Sequence, residues 1–255
     1  MKRAQQNGEM KTLLVTSQTT FAPMNYDGLV AELAACPQIG GLLILANRNA
    51  SLLLKAFWLI GCGAWRLGTA LLVNAGPASR RRRRAAFAAC GKPVWELASI
   101  NSPAATETVA ANGFDLVLNA RTRKIYKEPM LTAPRLGCIN IHHGLLPEQR
   151  GTMCDLWALS EGRPAGFSIH VMTAGIDEGG ILARVAVSDG QDRHYPRYLR
   201  RACGVEAREV ARVLREIETT GRPTVQPNPA PENLTMRRNP DRRQLRRMIR
   251  SGMRL

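Results

Sequence analysis

The chain has 255 residues, 45% of them hydrophobic and 5% aromatic; that is enough for one large domain with an aliphatic core, and it excludes a disordered chain. Its 36 Lys and Arg against 20 Asp and Glu leave a formal net charge of +16, so partners are expected among anions: nucleic acid, an anionic membrane, an acidic carrier protein or a polyanionic small molecule. The six cysteines, Cys36, Cys62, Cys90, Cys138, Cys154 and Cys203, form no C-x-x-C pair, which argues against a zinc site or a disulfide framework and for a reducing cytoplasm, with no metal expected.

Residues Met1 to Lys11 are polar and show no apolar signal core. Lys11 to Ser17 reads as a buried strand, Tyr26 to Ala35 as a helix, and Gly41 to Ala46 as a second strand. Short unalternating apolar strands separated by helices predict βαβ units and a parallel sheet. Ser51 to Val73 is apolar but interrupted by Lys55, Arg66 and three glycines. It predicts a buried or partner-facing helical insert over residues 51–76, with peripheral membrane contact through Trp58 and Trp65 as the second reading. The five consecutive arginines Arg80 to Arg84 predict a solvated, exposed stretch. Strands follow at Lys92 to Leu97, Phe114 to Ala120 and Gly137 to His142, with a helix opening at Ser102-Pro103 and a short one over Lys127 to Leu131. Gly151 to Ser160 is helical in pattern. Phe167 to Met172 and Ile181 to Ser188 are further strands, and Val205 to Thr219 an amphipathic helix. Pro223 to Pro231 predicts an extended linker, and the arginine-dense Met236 to Leu255 a short basic helix from about Pro240. The expected organisation is a main domain over residues 11–190, a helical segment over 191–222, and a linker with basic tail over 223–255.

Chemistry concentrates in two places. On a strand, successive side chains point to opposite faces, so Cys138, Asn140 and His142 share one face while Ile139 and Ile141 share the other. An amide and an imidazole therefore project together where a parallel strand ends, which is where open α/β sheets bind ligands. The second place is Ile176-Asp177-Glu178-Gly179-Gly180-Ile181, an acid on a glycine-flanked loop able to approach a pocket closely.

Three ordered segments, I-N-I-H-H-G-L-L-P-E-Q-R-G, G-F-S-I-H-V-M and I-D-E-G-G-I-L, resemble the formyltransferases that use 10-formyltetrahydrofolate. That family's pattern is N-x-H, then S-L-L-P-x-x-R-G, then G-x-T-x-H, then D-x-G-x-I. The likeness is strong over residues 90 to 185 and loose elsewhere. It implies an α/β, Rossmann-like formyltransferase domain with a central, mostly parallel sheet, a helical insert and a short C-terminal extension. It also implies Asn140, His142 and Asp177 as the catalytic trio. Asn140 and a protonated His142 would donate to the developing formyl oxyanion, and Asp177 would orient His142 and help to remove the amine proton. By the same resemblance Arg123, Lys124, Ile125 and Tyr126, with Thr173 and Gly175, lie where backbone grips the pterin of 10-formyltetrahydrofolate. His143, Gly144 and His170 are expected at the substrate pocket.

Departures narrow the acceptor. Gly144 replaces the serine before L-L-P. Ser17 to Pro23 lacks the glycine-rich phosphate loop of the glycinamide ribonucleotide enzymes. About 50 residues follow Val205, too few for the C-terminal tRNA-binding domain of the methionyl-tRNA enzymes. The acceptor expected is therefore a small or carrier-borne amine: an amino sugar, an amino acid or hydroxylamine of secondary metabolism, or a carrier-tethered aminoacyl group. Nucleic acid is a less favoured partner, and a homodimer contact would suit the insert. The competing readings are a 10-formyltetrahydrofolate hydrolase, and a repurposed RNA- or membrane-binding protein without catalysis.

Overall fold

A computed structural model describes residues 9–19, 23–46, 50–120, 122 and 124–255. Arg123, expected at the pterin, lies outside the described residues.

Seven strands form one sheet: β1 (Thr12–Ser17), β2 (Ile39–Leu45), β3 (Val94–Leu97), β4 (Leu116–Asn119), β5 (Cys138–His142), β6 (Ala165–Val171) and β7 (Ile181–Ser188). Their order is β3-β2-β1-β4-β5-β6-β7. The first five run parallel, and β6 and β7 add antiparallel. The apolar runs of β1 and β4 are buried at every position, as expected for parallel strands covered on both faces. The chain winds one way from β1 to β3 and then returns past β1 to β4. The sheet thus has a switch point beside β1, and the carboxyl ends of β1, β4 and β5 open on the same side.

Each face has its own core. On one, α1 (Pro23–Ala34) and the C-terminal half of a long helix close over Leu14, Ile44, Ile139, Ile141, Phe167 and Ile169. On the other, α5 (Pro103–Ala111) and α6 (Glu128–Thr132) cover Leu13, Val15, Leu43, Val117 and Cys138. The apolar insert is two helices, α2 (Ala50–Gly61) and α3 (Trp65–Ala75), folded into a hairpin. Among the described residues no helix is long and apolar enough to cross a membrane. Ala56, Leu59, Leu67 and Leu71 of this hairpin pack with Leu156 and Leu159 of α7 (Cys154–Ser160) and with Leu245 and Met248 of α9 (Arg242–Arg250). The basic tail therefore closes a third core, and α9 starts from an Asp241–Gln244 capping box.

Two expectations change. The arginine run lies on α4 (Pro77–Ala89), and among the described residues four of its five members, all but Arg81, are ion-paired rather than merely solvated. Arg83 is fully buried, reaching Asp27 Oδ1 at 2.8 Å, the Ser17 carbonyl at 2.6 Å and Ser79 Oγ at 2.8 Å. Arg82 pairs with Asp27, and Arg80 and Arg84 with Glu96. The i, i+4 spacing of Ser79 and Arg83 puts both toward α1, which a count of like charges does not reveal. The amphipathic helix is also longer than its pattern suggests. As α8 it spans Tyr195–Thr220, with Pro196 accommodated in its first turn.

Candidate active site

The sheet's alternation separates chemistry from core. Ile139 and Ile141 sit in the hydrophobic core, whereas Asn140 and His142 line a cavity of about 890 Å³. Beside them β6 contributes His170, whose backbone is in register with Asn140. The loop after β6 brings Asp177 against His142 and His170. The structure thus gathers Asn140, His142 and Asp177 as expected, and adds His170 as an equal member of the group.

The contacts define a directed network. Asn119, at the end of β4, holds Asn140 Oδ1 with its amide at 3.0 Å, and Asn119 Oδ1 accepts from the Thr122 amide at 2.9 Å. Asn140 Nδ2 is 3.1 Å from His170 Nε2, and His170 Nδ1 is 2.8 Å from the Val171 carbonyl. A carbonyl only accepts, so Nδ1 carries the proton and Nε2 accepts from Asn140. His170 agrees with this: burial first, then the neighbouring His142, lowers its pKa to about 4, so the ring is neutral at pH 7. One N–H of the Asn140 amide is thereby engaged, and the second is left toward the cavity.

His142 is 2.6 Å from the Gln149 carbonyl through Nε2 and 3.5 Å from Asp177 Oδ2 through Nδ1. Both nitrogens therefore face protein acceptors, and His142 reaches a bound oxyanion only by exchanging the Gln149 carbonyl for it. Asp177 Oδ2 also accepts from the Gly151 amide at 3.1 Å, and Oδ1 lies 3.6 Å from His170 Nε2. Asp177 adopts φ 56°, a left-handed conformation uncommon for any residue but glycine, so outside contacts must hold it. They come from the stretch expected as an extended linker: Asn228 donates to the carbonyls of Asp177 and Gly179 at 2.9 Å each, and Arg150 bonds Asn228 at 2.9 and 3.1 Å. A side chain at Gly179 would run into the Val171 carbonyl, which explains the glycine two places after the acid.

The loop between β5 and α7 is tied from two sides. Ser168 accepts from the Leu146 amide at 2.9 Å and donates to the Gly144 carbonyl at 2.8 Å. Gln149 accepts from the Leu145 amide and donates to the Pro164 carbonyl. A Cβ at Gly144 would stand 2.5 Å from both His142 Nε2 and the Gln149 carbonyl. Glycine here is thus the condition for the His142–Gln149 contact.

The same cavity is lined by two further groups of residues. One group is Thr122, Lys124, Ile125, Tyr126 and the Thr173–Asp177 loop, where the pterin contacts were expected; Tyr126 is buried, and Lys124 and Ile125 are exposed. The other group is Leu67, His143, Asp155, Tyr195, Leu199 and the Met236–Asn239 segment of the tail. His143 is clasped by two fully buried carboxylates, Asp155 at 3.1 Å and Glu206 at 2.8 Å. Asn119, Gln149, Asn228 and this carboxylate pair escaped the sequence reading. Asn119 left a signal as a polar residue closing an apolar strand. Asn228, Asp155 and Glu206 left none, because only the fold brings them near.

The family model described as "Formyl transferase" matches residues 73–208. A methionyl-tRNA formyltransferase from Paramagnetospirillum magneticum is 32% identical over 141 residues, 55% of this chain and 46% of that protein. One from Thiobacillus denitrificans is 36% identical over 118 residues, 44% and 38% respectively. The chain spans less than half the length of these curated relatives. Among solved structures, a phosphoribosylglycinamide formyltransferase from Anaplasma phagocytophilum superposes with a TM-score of 0.60 at 17% identity, covering 91% of this chain and 100% of that one. A sugar N-formyltransferase from Shewanella gives 0.58 at 18%, covering 96% and 88%. At these identities the two structures share the fold. With the sheet order, the cavity and a match over more than half its length, this chain belongs to the formyl transferase family.

Proposed function

We propose that the protein transfers a formyl group from 10-formyltetrahydrofolate to the amine of a small or carrier-bound acceptor, with Asn140, His142 and Asp177 as the catalytic residues. The observation that carries this reading is their convergence, with neutral His170, on one cavity. The part of the cavity beside Tyr126 and Thr173–Gly175 would take the pterin, and the part beside His143 and Tyr195 the acceptor.

In the reaction the amine nitrogen attacks the formyl carbon and the carbonyl π pair moves to oxygen. The second N–H of Asn140 donates to that oxyanion, fixed in direction by Asn119 and His170. One such preorganised donor contributes roughly 10²–10³ in rate. His142 adds a second donor by releasing the Gln149 carbonyl. Asp177 takes the proton of the attacking amine, and its removal contributes roughly 10²–10⁴. Collapse breaks the bond to N10 of the folate, which leaves with a proton as tetrahydrofolate while the acceptor leaves as a formamide.

Supplying 10-formyltetrahydrofolate alone and then with pools of amino sugars, amino acids and hydroxylamines tests the reading. Transfer requires folate release that depends on an acceptor. Release without one identifies a hydrolase, and no release in either condition rejects catalysis.

A further inference from the structure

Among the described residues, five of the ten large apolar side chains that remain exposed fall between Leu53 and Trp65: Leu53, Leu54, Phe57, Trp58 and Trp65. They are concentrated rather than scattered, which marks a surface that meets something. Their helical spacing explains the concentration. Ala56 and Leu59 turn inward to the third core, while Leu54, Phe57, Trp58 and Gly61 follow one another at i, i+3 and i+4 along the outer face of α2. That face ends at the hairpin tip, where α3 begins with Trp65 at 51% exposure. The family match begins at residue 73, so the whole hairpin tip lies outside it.

The rim of this face is cationic. Arg66 lies over the Trp65 ring at 4.2 Å. Trp65, Arg66 and Arg254 line a shallow cavity of about 370 Å³ floored by Ile249, Met253 and Leu255. Arg197 adjoins the same cluster: its backbone amide donates to the His194 carbonyl at 3.0 Å, and His194 pairs with Arg254 through a β-bridge. Arg66, Arg197 and Arg254 form no ion pair among the described residues. Residues 236–255 add eight arginines against one aspartate, and α9 is docked on the hairpin through Ile249, 3.3 Å from a Cβ placed at Gly63.

Two occupants of the apolar face are natural: a second copy of this chain or an anionic bilayer. A second copy would bring a chain of +16 against another of +16, at the very surface where its arginines gather. A bilayer carrying phosphate headgroups complements both features. Tryptophans seat at its interface, apolar side chains enter the acyl boundary, and guanidinium groups pair with phosphates. We propose that the outer face of the α2–α3 hairpin, with Arg66, Arg197 and Arg254, is a docking surface for an anionic phospholipid membrane.

Sedimentation with vesicles of phosphatidylcholine alone or mixed with phosphatidylglycerol tests this. Binding to the mixed vesicles only, weakened by salt and accompanied by a blue shift of tryptophan emission, is the expected result. The double variant F57E/W58E, which alters exposed positions only, should lose at least about tenfold in partitioning. R66Q/R254Q should lose roughly fivefold per arginine at low salt. Unchanged melting temperatures would show that both variants fold. The proposal is overturned if mixed vesicles do not sediment the protein, or if F57E/W58E binds them like wild type, as adhesion by charge alone would. It is equally overturned if light scattering finds a dimer that F57E/W58E dissociates, or if RNA competes for the protein while vesicles do not. None of these outcomes bears on formyl transfer, which is measured on free folate and amine.

Discussion

Replacing Asn228 by Ala removes a positioning residue that touches no substrate. Its amide alone ties the carbonyls of Asp177 and Gly179 to the extended segment after α8. Asp177 is held at φ 56° with its carboxylate 3.5 Å from His142. Two hydrogen bonds of this kind contribute together about 2 kcal/mol to stability. For a chain of this size the melting temperature should fall by roughly 4–8 °C. Activity should fall further. Once released, the Asp177 loop relaxes toward an ordinary backbone conformation, and a displacement of about 1 Å in a reacting group costs on the order of 10²-fold in rate. The assay is folate release from 10-formyltetrahydrofolate with the acceptor that the amine screen identifies, with kcat and KM separated. The expected signature is a kcat lowered by about 10²-fold with the folate KM little changed, because Asn228 does not border the cavity. N228D, which keeps the volume but loses the donor, should behave the same way or worse. Wild-type kcat in N228A at a lowered melting temperature would refute the claim that this bond positions Asp177.

Other consequences follow from single contacts. Asp177→Asn removes the proton acceptor while keeping the shape, and should lower kcat by roughly 10²–10⁴; a drop under threefold would exclude Asp177 as the base. Gly144→Ala pushes a methyl against His142 and the Gln149 carbonyl at 2.5 Å, so kcat should fall without loss of folate binding, measured by fluorescence titration with a non-reactive folate. Arg83→Met strips a fully buried guanidinium from Asp27, Ser17 and Ser79. It should cost about 3 kcal/mol in denaturant unfolding, the low end for breaking a buried pair because Arg82 still neutralises Asp27. His170, with its pKa lowered from 6.5 to about 4, takes up a proton in the unfolded chain at a higher pH than in the folded one. Stability should therefore be fully present above about pH 6.5 and decline as pH falls toward 4. His170→Gln should flatten that slope in urea unfolding measured across the range, and an unaltered slope would contradict the assignment.

Strands and helices of one dominant period were legible in the residues, because burial on a sheet face or a helix stripe imposes that period directly. β1, β4 and β5 are examples, and strand alternation alone paired Asn140 with His142. Asp177 came only through resemblance, since an acid before a glycine has many reasons to be there. Periodicity was silent where a side chain serves a distant partner. Arg83 looks like one of five solvated arginines until α1 supplies Asp27. Asn228 looks like linker until the Asp177 loop passes beneath it. Gly144 looks like a lost serine until the Gln149 carbonyl occupies the space that its side chain would need. The sequence by itself thus determined the parallel α/β framework, the family and the two polar groups on β5. Only the tertiary structure decided that His170 is a neutral partner of Asn140, that the linker after α8 fastens Asp177, and that the hairpin keeps one apolar face outward. Those depend on contacts between residues tens to hundreds of positions apart, which no local pattern encodes.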